Sequence, residues 1–164
     1  MLARLAAIPA IGVLAACSAF SPEVGVECSA DPAACAADDG GATDAPATVS
    51  FENDLRPIMN RHASDPSGPG CADCHYDTAA SPIGIEVGGL DMTTLGQMRK
   101  GGKTSGTNII IPGNPSGSAV IQKLQGTYPY GKRMPYSGPP YLTDAEIQLF
   151  IDWIAQGAVG ADDE

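Results

Sequence analysis

The chain has 164 residues and a formal net charge of −10, from 9 basic and 19 acidic side chains. This length suits one domain of ordinary size with extensions rather than two full domains. The acidic balance argues against binding nucleic acid, which requires a basic face. Aromatic residues make up only 5% of the chain, so a core built from protein alone looks thin. No apolar run reaches the roughly 18 residues of a membrane span.

The N-terminal residues 1–16 are typical of an export signal. One early charge, Arg4, is followed by a mainly apolar run that ends in Ala15 and Ala16, directly before Cys17. Such a segment is too short for a spanning helix and is removed from the mature protein. The small residues before the cysteine resemble the lipobox of bacterial lipoproteins. This resemblance implies that Cys17 is lipidated and anchors the protein to a membrane surface.

The predicted location is therefore the periplasmic side of a bacterial membrane. By the same resemblance, Ser18, the residue directly after the lipidated cysteine, favours a location at the outer membrane. The alternative is an ordinary secretory signal whose cleavage site lies beside a cysteine. In that case the protein is exported without a lipid anchor.

Residues 17–49 form a predicted tether that is rich in Ala, Asp, Pro, Gly and Ser. This composition cannot bury enough apolar surface to offset chain entropy, so we expect a flexible segment. Cys28 and Cys35 lie within it, and export predicts a local disulfide, with two free thiols as the alternative. The tether and an acidic tail, residues 159–164, carry most of the charge, because residues 50–158 hold 8 basic and 10 acidic side chains.

The pattern of residues 50–158 predicts an all-α domain with long loops. No convincing alternating strand appears, since residues 108–111 are too short and are closed by Pro112. Apolar spacing, N-capping residues and glycine stops predict four helices. These are residues 51–59 with Ser50 as N-cap, residues 93–100, residues 119–124 with Ser118 as N-cap, and a last helix that begins at the N-cap Thr143 and ends at Gly157. In this last helix, Thr143 and Glu146 match a capping box.

Residues 71–75 read Cys-Ala-Asp-Cys-His and are called the CxxCH turn below. Two cysteines three residues apart can form thioethers to one haem, and the adjacent histidine can bind its iron, so the motif is the attachment signal for haem c. A thioredoxin-type dithiol is one alternative, but it requires a strand-to-helix context that is missing. A zinc site that joins these cysteines to Cys28 and Cys35 is the other.

An iron that carries electrons takes a second axial ligand, and a thioether raises its potential. Met134 lies in a loop directly ahead of the last helix and is the first candidate. Met59 is expected to pack in the core, and Met92 and Met98 are expected to fill gaps between other apolar side chains. His62, which would give a bis-histidine site, and an open sixth position are the alternatives.

With these motifs in order, the chain resembles the cytochrome c family. The likeness is strongest to the single-haem domain common in exported proteins and lipoproteins of planctomycetes and myxobacteria. It covers residues 51–158. Besides the CxxCH turn and the first helix, it rests on Gly88-Gly89-Leu90-Asp91, Ile111-Pro112-Gly113-Asn114-Pro115 with Ser118, Arg133-Met134-Pro135, residues 142–147 and residues 153–158.

The resemblance implies a cytochrome c-like fold, with few helices and long loops around one haem c. It implies that Cys71 and Cys74 bind the haem covalently, and that His75 and Met134 are the axial ligands of its iron. In the family a proline carbonyl accepts the imidazole N–H of the proximal histidine, and Pro112 is the candidate here. The first and last helices are expected to cross and to bury their aromatic side chains against one haem edge.

The predicted function is one-electron transfer between redox partner proteins by a membrane-tethered carrier that is not an enzyme. A peroxidase-like enzyme and a gas-binding sensor are the alternatives, and both require a labile sixth ligand. Five basic residues could meet haem propionates or an acidic partner, but for each of them ordinary solvated surface is the favoured interpretation: Arg99, Lys100, Lys103, Lys132 and Arg133.

Overall fold

The computed structural model describes residues 47–164. The predicted signal segment, Cys17, and the pair Cys28 and Cys35 lie outside these residues. Within them, no helix combines the length and the apolar character needed to cross a membrane.

The described residues form short helices joined by loops, and no β-strand occurs among them. The prediction of an all-α chain is thus confirmed for this part of the protein. The elements follow in chain order as a π-helical turn Phe51–Leu55, α1 Arg56–Met59, α2 Ala72–His75, α3 Ile83–Glu86, α4 Leu95–Lys100, a 3₁₀ turn Thr107–Ile109, α5 Ala119–Gln125 and α6 Asp144–Ala155.

The first predicted helix forms in two parts. Its N-terminus is capped as expected, because the Ser50 hydroxyl accepts the Asn53 N–H at 3.2 Å. Pro57 lies in the first turn of α1, where its missing N–H costs no helical hydrogen bond. A wide π-helical turn over Phe51–Leu55 precedes it. The one-turn helices α2 and α3 were not predicted, because four residues are too few to show a helical period.

The capping box of α6 is confirmed. Thr143 Oγ1 accepts the Glu146 N–H at 3.3 Å, and Glu146 Oε2 accepts the Thr143 N–H at 2.8 Å. Ser118 holds the N-cap position of α5 but makes no side-chain cap bond to it. Its buried hydroxyl instead accepts the Ile111 N–H at 2.8 Å and donates to the Asn114 carbonyl at 2.9 Å. Ser118 thus shapes the loop before α5.

The core forms where the π-helical turn crosses α6. The rings of Phe51 and Trp153 lie 5.2 Å apart, and Leu55 and Phe150 are fully buried beside them. The expected crossing of the first and last helices is therefore confirmed. Medium-sized apolar side chains complete one continuous cluster, so that the few aromatic rings suffice: Ile58, Met59, Met92, Leu95, Met98, Ile109, Ile110, Ala119, Val120, Ile121, Leu124, Leu142, Ile147, Ile154 and Ala158.

Arg56 is a buried cation inside this core. Its Nη1 donates to the carbonyls of Met92 and Thr93, both at 3.2 Å, and to the Tyr76 hydroxyl at 3.3 Å. Its guanidinium lies 4.7 Å from the centre of the Phe51 ring, and the buried Nη2 has no hydrogen-bond partner. The side chain therefore ties α1 to the segments on either side of α3.

The acidic tail is bound to α4, which the sequence did not predict. Arg99 donates to the carbonyls of Ala158 at 2.9 Å and Gly160 at 3.3 Å and pairs with the Asp162 carboxylate. The Gly96 N–H donates to the Asp162 carbonyl at 2.9 Å. Arg99 thus has partners within the chain.

Candidate functional site

The CxxCH turn is fixed by α1. The N–H of Cys71 donates to the Met59 carbonyl at 2.9 Å, and the N–H of Ala72 donates to the Arg61 carbonyl at 3.3 Å. Cys71 is the N-cap of α2, so its side chain and that of Cys74 lie three residues apart on the same helical turn. Both thiols are free and half-buried. One short turn therefore presents both thiols and the histidine.

His75 ends this turn and is half-buried. Its Nδ1 lies 2.9 Å from the Leu90 carbonyl oxygen, which accepts its N–H and leaves Nε2 without a proton. Burial lowers the pKa of His75, so the ring is neutral near neutral pH. A neutral imidazole whose other nitrogen is hydrogen-bonded is the form that ligates metals.

The carbonyl that faces His75 belongs to Leu90 and not to Pro112, on which the sequence analysis placed this role. Pro112 is exposed in the loop after the 3₁₀ turn. Leu90 is held by α3, because its N–H donates to the Gly84 carbonyl at 3.0 Å. The chain therefore meets the imidazole 15 residues after His75. No period in the sequence marks such a contact.

Gly84 is the second residue of this site that the sequence analysis missed. A Cβ atom at this position would lie 2.5 Å from Cε1 and Nδ1 of His75 and 2.6 Å from the Cys74 carbonyl oxygen. Such distances are well inside van der Waals contact, so α3 packs flat against the imidazole only because residue 84 has no side chain. A lone glycine in a Gly-rich chain gives no signal of such a role.

The two thiols are poor nucleophiles in this environment. Burial, with a smaller effect of Cys74, raises the pKa of Cys71 to about 12. Burial and the neighbouring Asp73 carboxylate also raise the pKa of Cys74. A redox-active dithiol instead needs a lowered pKa, which disfavours the thioredoxin-type alternative. The zinc alternative depends on cysteines outside the described residues.

His62 pairs with a carboxylate on the surface of the CxxCH turn. Its exposed ring places Nδ1 2.5 Å from Oδ1 of Asp73. Asp73 also accepts the Ala63 N–H at 2.7 Å, and the bonds to Ala63 and His62 lower its pKa. His62 therefore has a structural role that accounts for its position.

Met134 lies in the loop between α5 and α6, residues 126–142, which is called the Met134 loop below. Its side chain is half-buried, and its N–H donates to the Lys123 carbonyl at 3.0 Å. The other candidate methionines are buried in the core: Met59 and Met98 are 0% exposed and Met92 is 5% exposed. Their interpretation as packing residues is confirmed.

Lys123 of α5 connects the two candidate ligands. Its carbonyl accepts the N–H of Met134, and the charge of its ammonium group adds to burial in lowering the pKa of His75. The field of the Lys123 ammonium therefore reaches the imidazole. No sequence motif pointed to this residue.

Two surface cavities lie elsewhere. One of about 580 Å³ is lined by residues of the π-helical turn, α1 and the acidic tail, among them Glu52, Arg56 and Asp163. The other, of about 330 Å³, lies beside α6 and is lined by residues that include Arg133 and Asp144. Neither lining includes the cysteines or the histidine of the CxxCH turn.

Residues 71–137 match the family described as Planctomycete cytochrome C. The resemblance to the cytochrome c family is confirmed over this segment. It begins at Cys71 and includes Met134, so both ends of the candidate site lie inside the match. No curated protein and no solved structure matches the chain.

The cytochrome c family implies haem c, and the donor set of the CxxCH turn fits this group. Two half-buried free thiols, Cys71 and Cys74, lie on one helical turn with His75. Leu90 fixes the imidazole through Nδ1, which leaves Nε2 for a metal. Covalent attachment requires the thiols and axial ligation requires the neutral ring, and the turn supplies both.

Proposed function

We propose that the protein is a single-haem c-type cytochrome that passes one electron at a time between redox partner proteins. The observation that carries this proposal is the geometry of the CxxCH turn, where two free thiols accompany an imidazole held at 2.9 Å by the Leu90 carbonyl. Cys71 and Cys74 would hold the haem covalently, and His75 and Met134 would be the axial ligands. Bound there, haem c supplies an iron that cycles between two oxidation states.

The residues around His75 set its orientation and its protonation. The Leu90 carbonyl takes the Nδ1 proton, which raises the basicity of Nε2 and stops rotation of the ring. Gly84 limits the ring on one side, since its Cα faces the imidazole at close range. An imidazole fixed in this way needs little rearrangement when the charge of a bound metal changes.

Membrane attachment is part of the proposal. The lipobox-like order before Cys17 supports a lipid anchor, and the tether that follows would let the folded domain reach partners from the membrane surface. A location on the periplasmic side, at the outer membrane, follows from Ser18 and from the need to attach haem c outside the cytoplasm.

The first experiment expresses the full chain in a bacterium that has a haem-attachment system. We expect haem that stays bound after denaturation, at a stoichiometry of one per chain. The variant Cys71→Ser with Cys74→Ser is expected to lose it. A wild-type protein that is purified without haem would contradict the proposal.

The second experiment tests the axial ligand and the electron-carrier role. Met134→Ala is expected to abolish the iron–sulfur charge-transfer band of the oxidised protein, whereas the buried control Met92→Leu keeps it. We also expect the reduced wild-type protein to bind carbon monoxide slowly, because the sixth position is occupied. Rapid binding without unfolding would instead favour an enzyme or a gas sensor.

A further inference from the structure

The end of α5 holds the Met134 loop. Gly126 ends the helix with φ +77°, and its N–H donates to the carbonyls of Gln122 and Lys123. The N–H groups of Thr127 and Tyr128 donate to the Gln122 carbonyl at 2.8 and 3.2 Å. The N–H of Met134 donates to the next carbonyl, that of Lys123. The backbone of Met134 is therefore bound directly to the helix end.

The side chain of Lys123 holds the same loop from inside. Its Nζ donates to the carbonyls of Tyr130 and Lys132, the latter at 3.3 Å. The ammonium lies 5.1 Å from the centre of the Tyr128 ring. One cation thus binds three residues of the segment that leads to Met134, and it contributes charge-assisted hydrogen bonds to a loop without helical bonds of its own.

The side chain of Arg133 holds the loop from its other side. Its Nε donates to the Leu124 carbonyl at 2.7 Å, and its guanidinium stacks 4.1 Å from the centre of the Tyr141 ring. The aliphatic part crosses Gly126, where a Cβ atom would meet its Cδ at 3.2 Å. The residue directly before Met134 is therefore fixed at both ends of its side chain.

We propose that Lys123 and Arg133 are positioning residues for Met134, and together we call them the Met134 clamp. A thioether is a weak ligand, and ordering a free loop costs conformational entropy for each residue that is fixed. The clamp orders the loop in advance, so ligation by Met134 does not have to supply this free energy. This inference rests on the proposed role of Met134 as an axial ligand.

The test uses the full, haem-loaded chain and compares two melting curves of each variant. One follows the iron–sulfur charge-transfer band, and the other follows global unfolding by circular dichroism. The variants are Lys123→Met, which keeps the aliphatic stem, and Arg133→Met. Lys100→Met is the matched control, since its Nζ donates to Gln97 within α4 and has no part in the clamp.

For Lys123→Met we expect the equilibrium constant for Met134 ligation to fall about tenfold, because the variant loses charge-assisted hydrogen bonds to the Tyr130 and Lys132 carbonyls. The band should then disappear well before global unfolding, whereas in Lys100→Met both curves keep the wild-type separation. Lys123→Arg, which keeps the charge, should restore most of the ligation. Arg133→Met should also lower the equilibrium constant for Met134 ligation. It provides the test if Lys123→Met does not fold.

In each variant, the temperature at which the charge-transfer band is lost is compared with the temperature of global unfolding. If the difference between these two temperatures is the same in both clamp variants as in the wild type, the inference is overturned. Met134→Ala separates this failure from failure of the proposed function. If this variant keeps the band, Met134 is not the ligand, and the ligand assignment and the clamp both fall. If it loses the band while the clamp variants behave as wild type, the ligand assignment stands and the clamp alone falls.

Discussion

The CxxCH turn and the Met134 loop carry the two proposed ligands but are held in different ways. The turn is bound by backbone hydrogen bonds to Met59 of α1 and to Arg61 just after it, and the buried cation Arg56 donates to Tyr76, the residue that follows the turn. The loop is bound by two half-buried cations. Lys123 of α5 donates to loop carbonyls and lies over the Tyr128 ring. Arg133 of the loop donates to the Leu124 carbonyl of α5 and stacks on Tyr141. Burial protects the first set of interactions from water and salt, whereas the second set is screened more easily. We therefore expect the Met134 loop to lose its structure before the CxxCH turn does under denaturing conditions.

The largest effect is expected from Arg56→Met. This change leaves the carbonyls of Met92 and Thr93 without a donor inside the core. We expect the free energy of unfolding, measured with urea, to fall by about 2–4 kcal/mol, since each buried acceptor without a partner costs about 1–3 kcal/mol. The counterpart in the Met134 loop, Tyr141→Leu, removes the stacking on Arg133 and should cost about 0.5–1 kcal/mol. Equal losses in the two variants would remove the difference between the regions.

A smaller effect is expected from Gly84→Ala. The added methyl group would overlap the ring of His75 and the Cys74 carbonyl. Overpacking of this kind costs about 1–3 kcal/mol, and a displaced imidazole should also lower the yield of covalently bound haem. Ile83→Ala is the control, because this neighbour on α3 is 49% exposed. Wild-type stability and haem yield in Gly84→Ala would show that α3 does not restrict the imidazole.

The smallest effect concerns Glu146, which joins the CxxCH region to α6. Its carboxylate pairs with Arg61, whose carbonyl binds the turn, and caps α6 through Thr143. Burial raises the pKa of Glu146, but the hydrogen bonds with Arg61 and Thr143 outweigh it, so the net shift is downward. A lowered pKa in the folded state stabilises the protein above the unfolded value, near 4.3, and this contribution is lost as the pH falls through the folded value.

Glu146→Gln should therefore cost about 1 kcal/mol near neutral pH, because the hydrogen bonds from Arg61 and Thr143 lose their charged acceptor. As the pH falls through the lowered folded pKa of Glu146, the difference from wild type should disappear, because the carboxyl group is then protonated in both states. Urea unfolding of the variant and the wild type, near neutral pH and at acidic pH, measures this difference in the free energy of unfolding. Glu86→Gln, at an exposed position of α3, is the control and should change little. A pH-independent cost in Glu146→Gln would mean that the charge of Glu146 has no role.

The longer helices were predictable because their signals are local. The Thr143 and Glu146 capping box and the buried stripe of α6 depend on spacings of three and four residues. The CxxCH turn was likewise visible as a motif, although its helix, α2, is too short to show a period. Arg56 was not predicted to be buried, because its partners lie 20 to 37 residues away in the chain.

The residues that surround the candidate ligands show the same limit. Pro112 was chosen from the resemblance, whereas the carbonyl at His75 is that of Leu90. For Arg133 the favoured interpretation was ordinary solvated surface, whereas its side chain is bound to Leu124 and Tyr141. In the first case the interacting group is a backbone carbonyl, and in the second it is a long flexible side chain. The local sequence does not determine the direction in which either group lies.

By itself, the sequence determined the all-α class, the position of the CxxCH turn and the candidate ligands His75 and Met134. These properties depend on residue type and on short spacings, which a linear sequence contains completely. Only the tertiary structure decided which groups surround the candidate ligands, namely Leu90 and Gly84 at His75, and Lys123 and Arg133 at Met134. The physical reason is that a backbone carbonyl or a missing side chain acts through position in space, and packing of the whole chain sets that position.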